Sequence, residues 1–329
     1  MSTDAAPNLS TPRGQHDFDP AALRGVLAQA EASRPLGEQE LAQYRRFYGL
    51  QFADIPHRHE LFCIDADGER LVVQYYIPDQ ARGHVFMCHG YFDHVGLFAY
   101  VIAGLMQRGL AVVTYDQIGH GLSTGAPGTI ENFDRYVAAT RAVWLHAHAQ
   151  LQPTRPWHWL GQSMGGAIVM EYLHQHPPAV DEQAIGDTVL LAPLVRPYAW
   201  GINRWVFAIA KYTIKQRART LTNNAENAEF LDLQKVDPLQ AQALPVAWVA
   251  AMVEWSARFI AYPESQLAPK MVQGDNDRTV DAKFGVALYK RRYPNSRFLI
   301  LPGGRHHLAN ESAPKRAQMW AFLDEHCDW

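Results

Sequence analysis

The sequence predicts an α/β fold in which a mostly parallel central sheet carries helices on both faces and a helical cap is inserted late in the chain. Three observations lead there. Short apolar runs alternate with longer segments of helical period along most of the chain. The runs are almost continuously apolar, as strands buried on both faces must be. One interval, 196–262, breaks the alternation with tryptophan-rich helical stretches.

Taken in order, residues 1–54 form an N-terminal extension. It is expected to comprise a disordered lead over 1–19 and two short amphipathic helices, in "PAALRGVLAQAEA" and "GEQELAQYRRFYG". A first part of the core, 55–195, holds the strand-like runs "RLVVQYYIP", "GHVFMCHG", "LAVVTYDQ", "WHWLGQS" and "DTVLLAP". Between them lie the helical segments "VGLFAYVIAGLMQRG", "TIENFDRYVAATRAVWLHAHAQL" and "GGAIVMEYLHQHPP". The cap, 196–262, shows no clear strand and two strongly apolar helical stretches, "NRWVFAIAKYTIK" and "PVAWVAAMVEW". Residues 263–329 return to the core with "PKMVQGD", "VDAKFGVALYKRRYP", "RFLILPGG" and a terminal helix. A cap at this point would cover the carboxyl ends of the strands, where ligands bind in open α/β sheets.

Composition narrows the function. The chain has 329 residues, 48% hydrophobic and 19% charged, with no biased tract, as in ordinary globular proteins. A net charge of -3 argues against nucleic acid as the main partner. The opening "MSTDAAPNLSTPRGQHDFDP" lacks an apolar signal region and no long apolar run follows, so a soluble, cytoplasmic protein is expected. Cys63, Cys88 and Cys327 are widely spaced, which suits reduced thiols better than a disulfide or zinc framework.

Chemistry centres on "HWLGQSMGGAI", where Gly161, Ser163 and Gly165 fit Gly-x-Ser-x-Gly. Such a string arises by chance in roughly one chain in ten of this length, so context must carry it. The context is right, because a strand-like run precedes Ser163 and a helix-like run follows it. Small residues are needed where strand and helix nearly touch, and the new helix points free N–H groups at charge forming beside the serine. An acid and then a histidine are expected after later strands. "PKMVQGDNDRTV" offers Asp275 or Asp277, and "RFLILPGGRHHLANES" offers His306 or His307. Position alone does not choose within either pair. Upstream, His89 and Gly90 end a strand where the second oxyanion donor belongs, which nominates the amides of Tyr91 and Met164. His89 and His94 have no third ligand at a useful spacing, so no metal is expected.

These blocks, together with "YDQIGHGLSTG", resemble the α/β-hydrolase branch that contains monoacylglycerol lipases and bacterial lysophospholipases, also grouped as serine-aminopeptidase-like hydrolases. The resemblance spans roughly residues 55–325. It implies an α/β-hydrolase fold and selects Ser163 as nucleophile, Asp277 as acid and His306 as base. It also implies that Asp116 and His120 are structural, and that this chain departs from the family in carrying Asp93 where a Glu is common and a bulky Tyr91. The implied activity is hydrolysis of carboxylic esters through an acyl-enzyme, without a cofactor, on a small-molecule or lipid ester.

In the cap, Trp200, Trp205, Trp248 and Met252, with Trp255 and Phe259, are candidates to line a slot for an acyl chain. Residues 201–220 carry Arg204, Lys211, Lys215, Arg217 and Arg219 without an acid, a pattern suited to an anionic membrane surface or a lysolipid phosphate. A serine at the elbow disfavours dehalogenase or epoxide hydrolase chemistry. Thioesterase and aminopeptidase activities share the triad, and a catalytically silent ligand binder would be expected to lack one of its members.

Overall fold

A computed structural model describes residues 13–152, 156–177, 185–201 and 214–329. The strands of the main sheet are β1 (His57–Ala66), β2 (Glu69–Pro78), β3 (Gly83–Cys88), β4 (Leu110–Tyr115), β5 (Trp157–Gln162), β6 (Thr188–Leu191), β9 (Lys270–Gly274) and β10 (Arg297–Leu301). Their spatial order is β1-β2-β4-β3-β5-β6-β9-β10. From β4 to β10 every neighbouring pair is parallel, whereas β1 and β2 pair antiparallel with each other and β2 antiparallel with β4. This is the α/β-hydrolase arrangement.

Alternation along each strand divides the core in two. Val85, Met87, Leu110 and Val112 face one side, and Phe86, Cys88, Val113 and Tyr115 face the other. The first side is covered by α1 (Pro20–Gln29), α2 (Glu38–Tyr48), α3 (Ala99–Gln107), α6 (Ala228–Val236) and α9 (Ala313–His326). The second is covered by α4 (Phe133–Leu151), α5 (Met164–Gln175), α7 (Val246–Ala261) and α8 (Ala282–Arg292). Local chemistry sets the helix starts. Asp19 accepts from the amides of Ala21 and Ala22 ahead of Pro20, and Asn132 and Asp281 cap α4 and α8 in the same way.

The structure differs from the sequence expectation at three places. Strand β1 lies among residues that carry many charges and was not expected as a strand. It pairs with β2 through a two-residue turn in which Asp67 and Gly68 both have positive φ, 52° and 75°. The cap contains a small antiparallel ribbon of β7 (Gln216–Ala218) and β8 (Ala243–Pro245), too short to show alternation in sequence. Of the expected apolar helix around 203–215, all but the end lies outside the described residues. Within the lead expected to be disordered, the described Arg13 is instead buried, with its Nε donating to Glu229 and its Nη1 to Asn310.

That last contact shows how the N-terminal residues are used. Leu23 and Leu27 of α1, and Leu41, Tyr44, Phe47 and Tyr48 of α2, are buried in the same cluster as Phe230 and Leu233 of the cap. The Tyr48 hydroxyl donates to Asp237 at 2.7 Å. On the other side of the sheet, the buried Glu171 of α5 takes hydrogen bonds from Trp255, Arg258 and Tyr262 and so ties α7 to the core. Cys63, Cys88 and Cys327 are free and buried.

Leu41 is fully buried, so Leu41→Ala is expected to cost about 2–5 kcal/mol of unfolding free energy in a urea titration. A cost near zero would mean that the N-terminal helices are not part of the folded unit.

Candidate active site

Ser163 sits between β5 and α5 with φ 54° and ψ -115°, a conformation that L-residues rarely adopt. It is held from both sides. Its N–H donates to Leu191 on β6, and its carbonyl accepts from Leu194 and from Ala167, the first helical bond of α5. The flanking glycines are required by contact. A Cβ on Gly161 would lie 2.5 Å from the backbone of Gly165, and one on Gly165 would lie 2.1 Å from the Cys88 carbonyl oxygen. Strand β5, helix α5 and the end of β3 therefore meet backbone to backbone, and the serine side chain is pushed out of the turn.

Asp277 and His306 lie in the loops after β9 and β10. The Ser163 hydroxyl lies 2.9 Å from His306 Nε2, and His306 Nδ1 lies 2.8 Å from Asp277 Oδ2. Asp277 Oδ1 accepts from the amides of Thr279 and Val280, and Oδ2 also accepts from Gln273 Nε2. Burial would raise the Asp277 carboxyl, but the facing His306 and these hydrogen bonds outweigh it and hold it below the ordinary carboxylate range. Burial would lower His306, but Asp277, with a smaller contribution from Asp93, outweighs it and leaves the imidazole above its usual value.

The alternatives in each pair are placed elsewhere. Asp275 is exposed and accepts from the Gly303 amide, closing the turn beside Gly304. His307 is buried between Phe98 and Phe230, with its Nε2 3.3 Å from Asp93. Burial acts against Asp93, yet the facing His307, with smaller contributions from His89 and Arg219, brings its carboxyl down to about 2.

Gly90 follows β3 so closely to Ser163 that a Cβ there would lie 3.3 Å from the Ser163 Cβ. Tyr91 comes next. Its hydroxyl donates to the Gly128 carbonyl at 2.6 Å, and its ring stacks on Trp248 of the cap at 3.6 Å between centroids. Met164 opens α5, where an amide has no acceptor within the helix.

Several residues given no part in the sequence reading hold this arrangement. Gln162 donates to the His306 carbonyl and accepts from the Ala309 amide, so the residue before the serine fastens the histidine loop. Gln273 orients Asp277. Their only sequence signal is an amide side chain inside an apolar strand, where it must find partners. The two histidines weighed as metal ligands have their ring nitrogens engaged. His89 donates to Gly90 and accepts from Gln117, while His94 bonds Asp237 and Gly96. Asp116 accepts from the amides of Val95 and Leu122, and His120 donates to Ile118.

A chamber of about 480 Å³ lies above the serine. Leu194, Trp200, Leu244, Val246, Trp248, Val249 and Met252 form its apolar wall, and Ser163, His306, Tyr91 and Asp93 its floor. Trp205 lies outside the described residues. Trp255 and Phe259, the other two cap candidates, are not in this wall. They pack against the core, with Trp255 stacked on Phe133 and on Phe259. No helix among the described residues is long and apolar enough to cross a membrane.

Fold and site together define the chain as a serine hydrolase of the α/β-hydrolase class. The profile of the family described as serine aminopeptidase, S33, matches residues 79–313, and the chain belongs to that family. It is 28% identical over 272 residues to a monoacylglycerol lipase of Mycolicibacterium smegmatis, covering 80% of this chain and 93% of that protein. It is 25% identical over 288 residues to the monoglyceride lipase of Homo sapiens, covering 84% and 91% respectively. Among solved structures, a soluble variant of the monoglyceride lipase of Saccharomyces cerevisiae superposes with a TM-score of 0.68, at 18% identity and covering 83% of this chain and 96% of that one. The protein is an ester hydrolase of the lipase type.

Because its Cβ would meet two carbonyl oxygens, Gly165→Ala is expected to destabilise the protein by about 1–3 kcal/mol or more. Gly25→Ala, in open space on the surface of α1, is expected to be neutral or stabilising by up to about 1 kcal/mol. Thermal unfolding of both variants checks this, and equal melting temperatures would contradict the packing argument.

Proposed function

We propose that the protein hydrolyses monoacyl esters of glycerol-type alcohols, with Ser163 as nucleophile, His306 as general base and acid, Asp277 as its orienting carboxylate, and the amides of Tyr91 and Met164 as oxyanion donors. The observation that carries this is the in-line set of contacts from Ser163 through His306 to Asp277 at the floor of an apolar chamber. In the first half-reaction neutral His306 takes the proton of Ser163 as its oxygen bonds to the ester carbonyl carbon. The carbonyl oxygen becomes an oxyanion facing the two amides, each worth about 2.7–4 kcal/mol in a site of this kind. The tetrahedral species collapses as His306 passes its proton to the leaving alcohol, giving the acyl-enzyme. Water then attacks with His306 again as base, and the fatty acid leaves.

The chamber supports a single long acyl chain. Its wall is apolar, and each methylene buried there adds about 0.8 kcal/mol to binding. The relatives named as monoacylglycerol and monoglyceride lipases support the same substrate class. Trp200, Trp248 and Met252 are the cap residues assigned to the acyl wall, and Trp248 has a second part in buttressing the Tyr91 ring. Contact of the basic cap segment with an anionic membrane surface is supported by the exposed Lys215 and Arg217, two of its charges among the described residues.

The domain reading follows the same chemistry. Residues 55–195 and 263–329 supply the reacting groups, 196–262 supplies most of the acyl wall, and the described part of the extension, 13–54, braces the cap.

Two tests follow. Ser163→Ala, Asp277→Asn and His306→Ala are expected to lower kcat by about 10³-fold or more, and Asp275→Asn by less than about threefold. Hydrolysis of a panel of monoacylglycerols, aryl esters and aminoacyl amides reads this out, and turnover of the amides alone would overturn the ester assignment. The pH profile gives the second. Because only neutral His306 accepts a proton and its pKa is raised, kcat/KM is expected to fall as pH drops through an apparent pKa above about 6.5. In Asp277→Asn the residual activity should show that limb at lower pH, and an unmoved limb would separate it from the His306–Asp277 pair.

A further inference from the structure

The active site has a second compartment. A polar vestibule of about 400 Å³ adjoins the apolar chamber and shares Thr222, Asn224, Arg278, Thr279 and His306 with it. It touches His306 but not Ser163. In an acyl transfer the acyl group is bonded to the serine, and the leaving oxygen must be in reach of the histidine that protonates it. The compartment on the histidine side is therefore the place for the alcohol portion of the substrate.

The lining of that compartment is chemically one-sided. Asn223, Asn224, Asn276, Arg278 and Arg305 surround it, and among the described residues no carboxylate does. The two arginines are chain neighbours of the reacting groups, Arg278 following Asp277 and Arg305 preceding His306, so the loops that align the triad also carry them to the same side of the site. Arg278 makes no ion pair among the described residues, and Arg305 acts only at a distance on Glu226, which is paired with Lys315. Arg305 Nη1 donates only to the carbonyls of Asn223 and Ala225, and the Arg278 guanidinium has no partner among the described residues. The Asn224 Oδ1 is buried without a hydrogen-bond partner and lies in the wall common to both compartments, where a hydroxyl donor would satisfy it.

We infer that the vestibule is an anionic headgroup site, and that the preferred substrate is a monoacyl ester whose alcohol carries a hydroxyl and a phosphate or carboxylate held by Arg278 and Arg305. This rests on the ester hydrolysis proposed above and narrows its alcohol from neutral to anionic. Arginine suits the role because its planar fork meets two oxygens of either anion at once.

The test compares three substrates with one acyl chain: a neutral 1-acylglycerol, its 3-phosphate, and the corresponding acyl ester of glyceric acid. At low salt the wild-type enzyme is expected to show at least about tenfold higher kcat/KM for one or both anionic esters than for the neutral one. Whichever anion is favoured identifies the source of the charge. In Arg278→Gln, which removes no hydrogen bond seen in the structure, the ratio of anionic to neutral kcat/KM should fall about threefold or more, and in Arg278→Gln/Arg305→Gln it should approach one. Equal or better turnover of the neutral ester by wild type, or a ratio unchanged in Arg278→Gln, would overturn the assignment. If Ser163 reacts with a fluorophosphonate but none of the three esters is hydrolysed, the monoacyl ester reading itself fails and this site falls with it.

Discussion

One backbone constraint organises the molecule: strand β5 must end and helix α5 begin within a single residue, and that residue is Ser163 in a positive-φ conformation. A residue so placed costs of order 1–3 kcal/mol and persists only where its surroundings over-determine it. Here they do. Gly161 and Gly165 let three backbone segments touch, Leu191, Leu194 and Ala167 hold the serine amide and carbonyl, and Gln162 next to it reaches across to the histidine loop. The turn that exposes the hydroxyl also starts a helix whose first amides have no internal acceptor, so the proposed nucleophile and oxyanion donor come from one piece of geometry.

Three buried histidine–carboxylate pairs gather near this turn, and access to it separates them. His306 with Asp277 faces Ser163. His307 with Asp93 lies one residue further along, wedged between aromatic rings. His94 with Asp237 is fully buried and completed by the Tyr48 hydroxyl. In the last pair burial opposes charging of His94, but Asp237 outweighs it and raises the imidazole above its usual value, and the contact joins the loop after β3 to the cap and to α2. The cap is thus fastened beneath by N-terminal residues and above by Glu171, and between these anchors Trp248 rests on Tyr91.

Much of this was legible in the residue order. The parallel strands announce themselves as apolar runs because both their faces are buried, and the elbow does so because only glycine tolerates such close backbone contact. Choosing Asp277 over Asp275 and His306 over His307 was not possible from spacing, since a one-residue shift in a loop leaves no periodic trace; the resemblance to a family supplied it. Strand β1 was hidden by its charges, although the Asp67–Gly68 turn between the two strands was a readable hairpin signal. The β7–β8 ribbon and the braces made by Gln162, Gln273, Arg13 and Tyr48 depend on contacts between residues far apart in sequence. For the cap tryptophans composition could not separate wall from core, and Trp248 faces the chamber while Trp255 supports it from behind.

The central claim is that the elbow presents the Ser163 oxygen to His306 and to a pair of amides at once. A crystal structure of the enzyme inactivated by a long-chain alkylphosphonate tests it most directly, because the adduct mimics the tetrahedral species. The account predicts phosphorus bonded to Ser163, the phosphonyl oxygen about 2.7–3.1 Å from the amides of Tyr91 and Met164, and the alkyl chain along Trp248 and Met252. A phosphonyl oxygen pointing away from both amides, or an adduct on another residue, would contradict it.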